Sequence, residues 1–226
     1  MQEHLAVSAI IPTLNAAVQL PQLLDALRPR VSEIVVADGG SPDATVRVAR
    51  EAGALVLGAP RGRGSQLAAG AAAASGDWLL FLHADCRLEP GWDAAVRAFI
   101  TAPRSAVRAG YFEFALDDPS PAARRLERAV RWRCRLLALP YGDQGLLISR
   151  LLYDEIGGFA AIPLMEDVDL VRRLGRHRLA PIAAPLHSSA RRYVSEGYVR
   201  RPLRNLLCLS LYFAGVPPRR IARIYG

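Results

Sequence analysis

The sequence predicts an α/β protein with a mostly parallel, doubly wound sheet, and three observations carry that expectation. Short apolar runs alternate with helix-like segments through the first half of the chain. Trp78-Leu79-Leu80-Phe81-Leu82 is apolar at every position, which suits a strand buried on both faces of a parallel sheet. That run stops abruptly at His83-Ala84-Asp85, polar groups at a strand's carboxyl end, where open α/β sheets bind their ligands.

Each element follows from its local pattern. Residues 7–11 read as the first strand and 19–27 as a helix whose start lies near Asn15. A second strand over 33–37 leads to a helix over 43–51, which Gly53 ends. Residues 54–57 form a short third strand, 65–74 an alanine-rich helix, and 78–82 the fourth strand. Such β-α repetition implies right-handed crossovers between parallel strands. Beyond Pro90 the pattern is mixed. A helix over 92–101 precedes a strand over 109–115 and a basic helix over 122–139, opened by Pro119 and Pro121. A strand over 146–149, a helix over 150–156, a Gly157-Gly158 turn and a segment over 168–174 follow. Basic residues 191–204 and the apolar stretch 206–216 close the chain. No repeat or low-complexity linker interrupts this, so one domain over 1–226 is expected: a ligand-binding half to about residue 90, a second half to about 200, and an amphipathic tail over 201–226.

Composition bounds the partners. The 226 residues are 51% hydrophobic, enough for a sizeable core, and the formal charge of +8 favours polyanionic company such as phosphates or anionic lipid. All 29 basic residues are arginine, which together with abundant alanine reads as compositional bias and weakens the case for any single arginine. Cys86, Cys134 and Cys208 are odd in number and have neither metal nor redox spacing, so a reducing cytoplasm is expected. The apolar run from Val7 is too short for a signal peptide and meets Pro12, while 206–216 is too short to span a bilayer. No helix-turn-helix, zinc or RNA-binding motif supports nucleic acid as a partner.

Three acidic clusters are candidates for chemistry. Asp38-Gly39-Gly40-Ser41-Pro42-Asp43 offers a carboxylate for a base or ribose and glycines that let backbone approach a ligand; an Asx turn with an N-cap reads the same residues. His83 and Asp85 are either divalent-metal ligands or caps of the neighbouring loops. Glu166, Asp167 and Asp169 form either a solvated first turn helped by the helix dipole or the source of a general base. No G-x-G-x-x-G follows the first strand, where Pro12-Thr13-Leu14-Asn15 stands, and Gly62-Arg63-Gly64-Ser65 lacks a third glycine, so nicotinamide cofactors are not expected.

Taken in order, Ser8-Ala9-Ile10-Ile11-Pro12-Thr13-Leu14-Asn15, Val35-Val36-Ala37-Asp38-Gly39-Gly40-Ser41, Phe81-Leu82-His83-Ala84-Asp85 and Gly157-Gly158-Phe159 with Glu166-Asp167 resemble the family 2 glycosyltransferases of GT-A fold. Tyr141-Gly142-Asp143-Gln144-Gly145, Pro163-Leu164-Met165-Glu166-Asp167 and Ser189-Ala190-Arg191-Arg192-Tyr193 look like the radical-SAM/selenodomain-associated subgroup. The resemblance implies a Rossmann-like sheet with a helical C-terminal extension. It also implies an inverting transfer of sugar from a nucleotide-diphosphate donor to a hydroxyl acceptor. Asp38 would contact base or ribose beside Pro12, Asn15 and Gly39. Asp85 would be the retained acid of the D-x-D motif, holding Mg²⁺ or Mn²⁺ against the diphosphate, and Asp167 would be the base. His83 departs from the pattern by standing where that motif has its first acid. Arg63, Arg191 and Arg192 are diphosphate candidates, and Asp143, Gln144 and Glu166 face the acceptor side. The basic helices and the stretch 206–216 read in two ways: as a surface resting on anionic lipid at the inner membrane face, fitting a lipid-linked acceptor, or as a face buried in the domain or a homodimer. Two other functional classes stand beside the transferase: a sugar-nucleotide nucleotidyltransferase, and a basic membrane- or nucleic-acid-binding module without catalysis.

Overall fold

Eight strands make one mixed sheet in the computed structural model, which describes residues 4–225. They are β1 (Leu5–Thr13), β2 (Val31–Asp38), β3 (Leu55–Gly58), β4 (Trp78–Phe81), β5 (Arg87–Leu88), β6 (Ala109–Leu116), β7 (Leu146–Ser149) and β8 (Leu179–Ser188), in the spatial order β3-β2-β1-β4-β7-β6-β8-β5. β3, β2, β1 and β4 are mutually parallel, as the β-α repetition requires. β7 runs antiparallel between β4 and β6, and β6 pairs parallel with β8.

Alternation along the central strands sends successive side chains to opposite faces, which is why their middles are mostly apolar. Val7, Ala9 and Ile11 of β1, Val36 of β2 and Leu80 of β4 enter one core cluster. Ile10, Val35, Leu79 and Phe81 enter the other, so both faces of the sheet are dry. The first face is covered by α1 (Leu20–Leu27) and α4 (Trp92–Thr101), through Leu20, Leu23, Leu24, Leu27, Trp92 and Val96. α2 (Thr45–Glu51) lies beside α1. The second face takes α3 (Arg63–Ala73), α6 (Arg150–Glu155) and α7 (Glu166–Leu174). α5 (Pro121–Leu137) starts with Pro121 after Ser120, whose hydroxyl accepts the Ala123 N–H at 3.2 Å.

Two differences from expectation have physical causes. β8 is absent from the sequence reading because Pro181 and Pro185 contradict a strand pattern. The fold tolerates them because β5 covers only Leu186 and His187, leaving the rest of β8 an edge, and because the pairing with β6 skips Ala183 and Ala184. The C-terminal segment is three helices: α8 (Arg191–Glu196), α9 (Arg200–Phe213) and α10 (Pro218–Tyr225). Gly197, at φ +94°, separates α8 from α9. These helices are integral to the fold, since Cys208, Leu209 and Ile221 are buried in the second core cluster. All three cysteines are buried and free.

Arg150 fastens the β4–β7 region to α3. Its guanidinium donates to the carbonyls of Ala71, Ala74 and Gly76 at 3.2, 2.7 and 3.0 Å, supplying the partners that the C-terminal end of α3 lacks. Replacing Arg150 by Ala is expected to cost roughly 2 kcal/mol of stability, the scale of charge-assisted hydrogen bonds left unmade. Urea unfolding checks this; an unchanged midpoint would show that water replaces the guanidinium.

Candidate active site

Because β1, β2 and β4 are parallel, their carboxyl ends open on one edge, and the loops after them must satisfy their own polar groups there. Asp38 organises the edge. One carboxylate oxygen accepts the Thr13 and Ser41 hydroxyls at 2.9 and 2.6 Å, and the other accepts the Gly40 and Ser41 N–H groups at 2.9 and 2.7 Å. Ser41 in turn accepts the Asn15 N–H at 2.9 Å, and Thr45 accepts that of Ala16 at 2.8 Å. Asn15 is thereby held at φ +55°, in the left-handed region. Gln66 of α3 completes the joint by donating to the carbonyls of Thr13 and Ala37 at 2.7 and 2.9 Å.

A cavity of about 590 Å³ lies against this edge. Pro12, Asn15, Arg63, His83, Asp85, Asp143, Glu166, Asp167, Arg191 and Arg192 all line it, although the sequence spreads them over 181 positions (12 to 192). Asp38, Gly39 and Gln144 do not. Asp38 is buried behind the wall with its acceptor positions filled, so it shapes the loop rather than offering a free oxygen to a base. Gln144 is buried too, bridging Arg133 at 3.1 Å and the Phe112 carbonyl at 3.1 Å, so its amide braces the loop that carries Asp143.

The acids differ in their surroundings. Asp85 is exposed at the cavity mouth, and no described residue donates to its carboxylate. Asp167 accepts the Gly142 N–H at 2.6 Å on one oxygen and the Val168 N–H at 2.7 Å on the other, so each oxygen keeps a free lone pair. Gly142 is needed for that approach: a Cβ there would lie 3.0 Å from His83 Nε2 and 3.3 Å from Asp167 Oδ2. Glu166 is buried against Arg63 at 3.7 Å, and burial together with the Asp167 charge pushes its carboxyl upward. Burial also pushes Asp143 up to about 6 against the pull of Arg133, and its Oδ1 has no hydrogen-bond partner. Met165, at φ +67°, turns the chain so that both Glu166 and Asp167 enter the first turn of α7 at the cavity.

His83 is set by charge. Burial, followed by the neighbouring Arg63 and Arg192 guanidiniums, pushes its imidazole down to about 3 despite the nearby Asp167, so it is neutral at physiological pH. Its Nε2 lies 3.5 Å from the Arg63 guanidinium, a poor position for a second cation. Asp85 is therefore the group that fits a divalent metal, and among the described residues no cluster of three His, Cys, Asp or Glu side chains is disposed to hold one. Such an ion would take Asp85 and phosphate oxygens, the ligand mixture that Mg²⁺ favours.

The Gly157-Gly158-Phe159 turn acts from behind. Phe81 packs edge-on to Phe159 with ring centroids 4.9 Å apart, and Tyr153 accepts the Phe159 N–H at 3.0 Å. Gly64 meets the following loop so closely that a Cβ would sit 2.2 Å from the Ala160 carbonyl. Gln66, Arg201, Asn205 and Tyr225 line the cavity without having been site candidates in the sequence, and Tyr141 and Tyr193 stood there only as parts of the quoted motifs. Arg201 and Tyr225 pack as a cation–π pair at 4.2 Å, and the Arg201 guanidinium also donates to the Tyr225 carbonyl at 3.4 Å. No local motif signals Arg201, Asn205 and Tyr225, because α9 and α10 reach the cavity only through the core.

The fold and site define a GT-A architecture. The glycosyl transferase family 2 model matches residues 8–164, more than half of the chain, and the chain belongs to that family. It is similar to the PGL/p-HBAD biosynthesis glycosyltransferases of Mycobacterium bovis and Mycobacterium tuberculosis, with 38% identity over 104 residues. That match covers 41% of this chain and 41% of each relative. Among solved structures, glucosyl-3-phosphoglycerate synthase of Mycobacterium tuberculosis with Mn²⁺, UDP-glucose and phosphoglyceric acid superposes with a TM-score of 0.66 at 21% identity, covering 93% of this chain and 80% of that one. Mannosyl-3-phosphoglycerate synthase of Rubrobacter xylanophilus gives 0.60 at 20%, covering 92% and 74%. At these identities the likeness is one of fold.

The Asp38 joint has a pH signature. Burial raises the Asp38 carboxyl, but the hydrogen bonds from Ser41, Thr13 and Gly40 outweigh it and hold the group below its ordinary value. A folded-state pKa below the unfolded one contributes stability above the unfolded value and loses it as pH falls through the folded one. Asp38→Asn, which removes acceptors, is expected to cost about 1–3 kcal/mol at neutral pH. The gap to the parent should narrow on acidification through the carboxylate range, as read by denaturant titrations at several pH values. A gap that stayed constant with pH would rule this role out.

Proposed function

We propose that this chain transfers a sugar from a nucleotide-diphosphate donor to a hydroxyl acceptor with inversion at the anomeric carbon. The observation that carries the reading is the placement of Asp167, fixed by the Gly142 N–H across the same cavity that Asp85 and the β1–β2–β4 edge enclose. The nucleotide would lie along that edge by Pro12 and Asn15, in a loop whose shape Asp38 and Gly39 set. Arg63, Arg191 and Arg192 supply positive charge for the diphosphate. A Mg²⁺ or Mn²⁺ ion held by Asp85 would neutralise the leaving diphosphate; the solved neighbour with Mn²⁺ and UDP-glucose supports this choice.

Asp167 serves as the base. Its two backbone donors hold the carboxylate in place and leave a lone pair to take the acceptor's proton as its oxygen attacks. Asp143, with one oxygen lacking a partner, is the acceptor-side group best disposed to receive a hydroxyl, while Glu166 fixes Arg63. A single base opposite the leaving group gives inversion. Neutral His83 accepts from Arg63 and keeps that guanidinium directed at the cavity. Within the family, Tyr141-Gly142-Asp143-Gln144-Gly145 supports placement in the radical-SAM/selenodomain-associated subgroup.

A panel of nucleotide sugars with Mn²⁺, UDP-glucose first, tests the donor by thermal shift and hydrolysis; no response to any donor would sink the reading. Asp167→Asn should keep donor binding and lose transfer by about 10²–10⁴-fold. Asp85→Ala should lose the metal-dependent part of donor binding. Either variant matching the parent removes the assigned role. The product anomer, read by NMR coupling constants, should be opposite to the donor's; retention would overturn the single-base mechanism.

A further inference from the structure

Two helices present apolar side chains that no described residue covers. On α5, Trp132 is 63% exposed, and Leu136 and Leu137 are exposed beside it. Arg125, Arg128, Arg131 and Arg135 border them, also exposed. On α9, Leu203, Leu206 and Leu207 form an exposed stripe that continues from Val199. Spacings of three and four residues put Trp132 and Leu136 on one side of α5, and Val199, Leu203, Leu206 and Leu207 on one side of α9.

Neither stripe can turn inward. Val130 and Cys134 fix the opposite side of α5 in a core cluster that also receives Tyr193 and Tyr198, around the α8–α9 junction. Cys208 and Leu209 anchor α9 in the main core, and its Arg201 and Asn205 line the cavity. The helix that walls the cavity therefore carries an apolar stripe on its outer side.

Charge decides what covers these faces. The single acid of α5, Glu127, is buried and paired with Arg124 at 2.7 Å, so the outward side carries arginine and no acid. A second copy docked there would set arginine against arginine. Nucleic acid would satisfy the arginines and leave Trp132 and the leucines against phosphate. An anionic bilayer meets both demands, with apolar side chains in the headgroup–acyl boundary and guanidiniums on the phosphates. We propose that the outward faces of α5 and α9 dock on an anionic lipid surface. Docking through α9 brings the cavity wall within about one helix diameter, roughly 10 Å, of the bilayer. A lipid-anchored acceptor could then reach Asp167; this last step rests on the proposed transfer, whereas docking does not.

Co-sedimentation of the full chain with vesicles tests it without any sugar-transfer readout. Binding should be strong to phosphatidylcholine containing about one third phosphatidylglycerol, weak to phosphatidylcholine alone, and reduced by salt. The pairs Trp132→Ser with Leu136→Ser, and Leu206→Ser with Leu207→Ser, replace exposed residues and should leave thermal stability unchanged. Each should cut partitioning about tenfold or more. Arg128→Gln and Arg131→Gln should each cost about fivefold. Absent binding, equal binding to both vesicles, or variants that partition like the parent would overturn the proposal. So would sedimentation equilibrium showing a dimer that the same serine pairs dissolve, or loss of vesicle binding to competing RNA at physiological salt.

Discussion

Three parallel strands that end on one edge impose the constraint on which the site depends. Their last carbonyls and the loops beyond them have no continuing ladder, so other groups must satisfy them. Asp38 does this with four accepted hydrogen bonds and Gln66 with two donated ones. The result is a rigid lip carrying Pro12 and Asn15. Everything opposite, from Asp143 to Tyr225, is placed relative to that lip.

Electrostatics then divides the lining groups by task. Asp85 stays exposed and accepts from no described residue, which leaves its oxygens open to a cation. Asp167 is held by backbone donors alone, which orient a carboxylate without consuming it. Glu166 and His83 both face Arg63, one as an ion-pair partner and one as a neutral acceptor, so the guanidinium is steadied from two sides. Imidazole in place of an acid at position 83 makes sense in that company. A second carboxylate beside Arg63, added to that of Glu166, would neutralise more of its charge, whereas a neutral ring leaves that charge as it is.

The C-terminal helices join site and surface. Buried Arg201, stacked on Tyr225 and paired with Glu196 at 3.0 Å, holds α9 and α10 together beside the cavity. The same helix keeps leucines on its outer side. Such a two-faced element has its apolar surplus where the core does not need it, which is why the outer stripe calls for a partner. No helix among the described residues is long and apolar enough to cross a membrane.

Much of this was legible in the chain. The alternation of apolar runs such as 7–11 and 33–37 with helical segments, and the all-apolar 78–82 run, pointed to the parallel half of the sheet, because a strand buried on both faces is mostly apolar. The acids at 85 and 167 stood out because charge directly beside an apolar strand or turn needs a reason. β8 was hidden by Pro181 and Pro185, whose cost vanishes only at a sheet edge that sequence does not reveal. Asp38 shows the converse: its place after β2 marked it as important, yet only the folded loop shows its oxygens already filled by Thr13, Gly40 and Ser41. The inner wall of Arg201, Asn205 and Tyr225 was likewise decided by tertiary structure. Local sequence sets which residues can be helical and which strands can be buried. Which helix face meets a cavity depends on packing between segments far apart in the chain, and α9 turns Arg201 inward because Cys208 and Leu209 anchor it in the core.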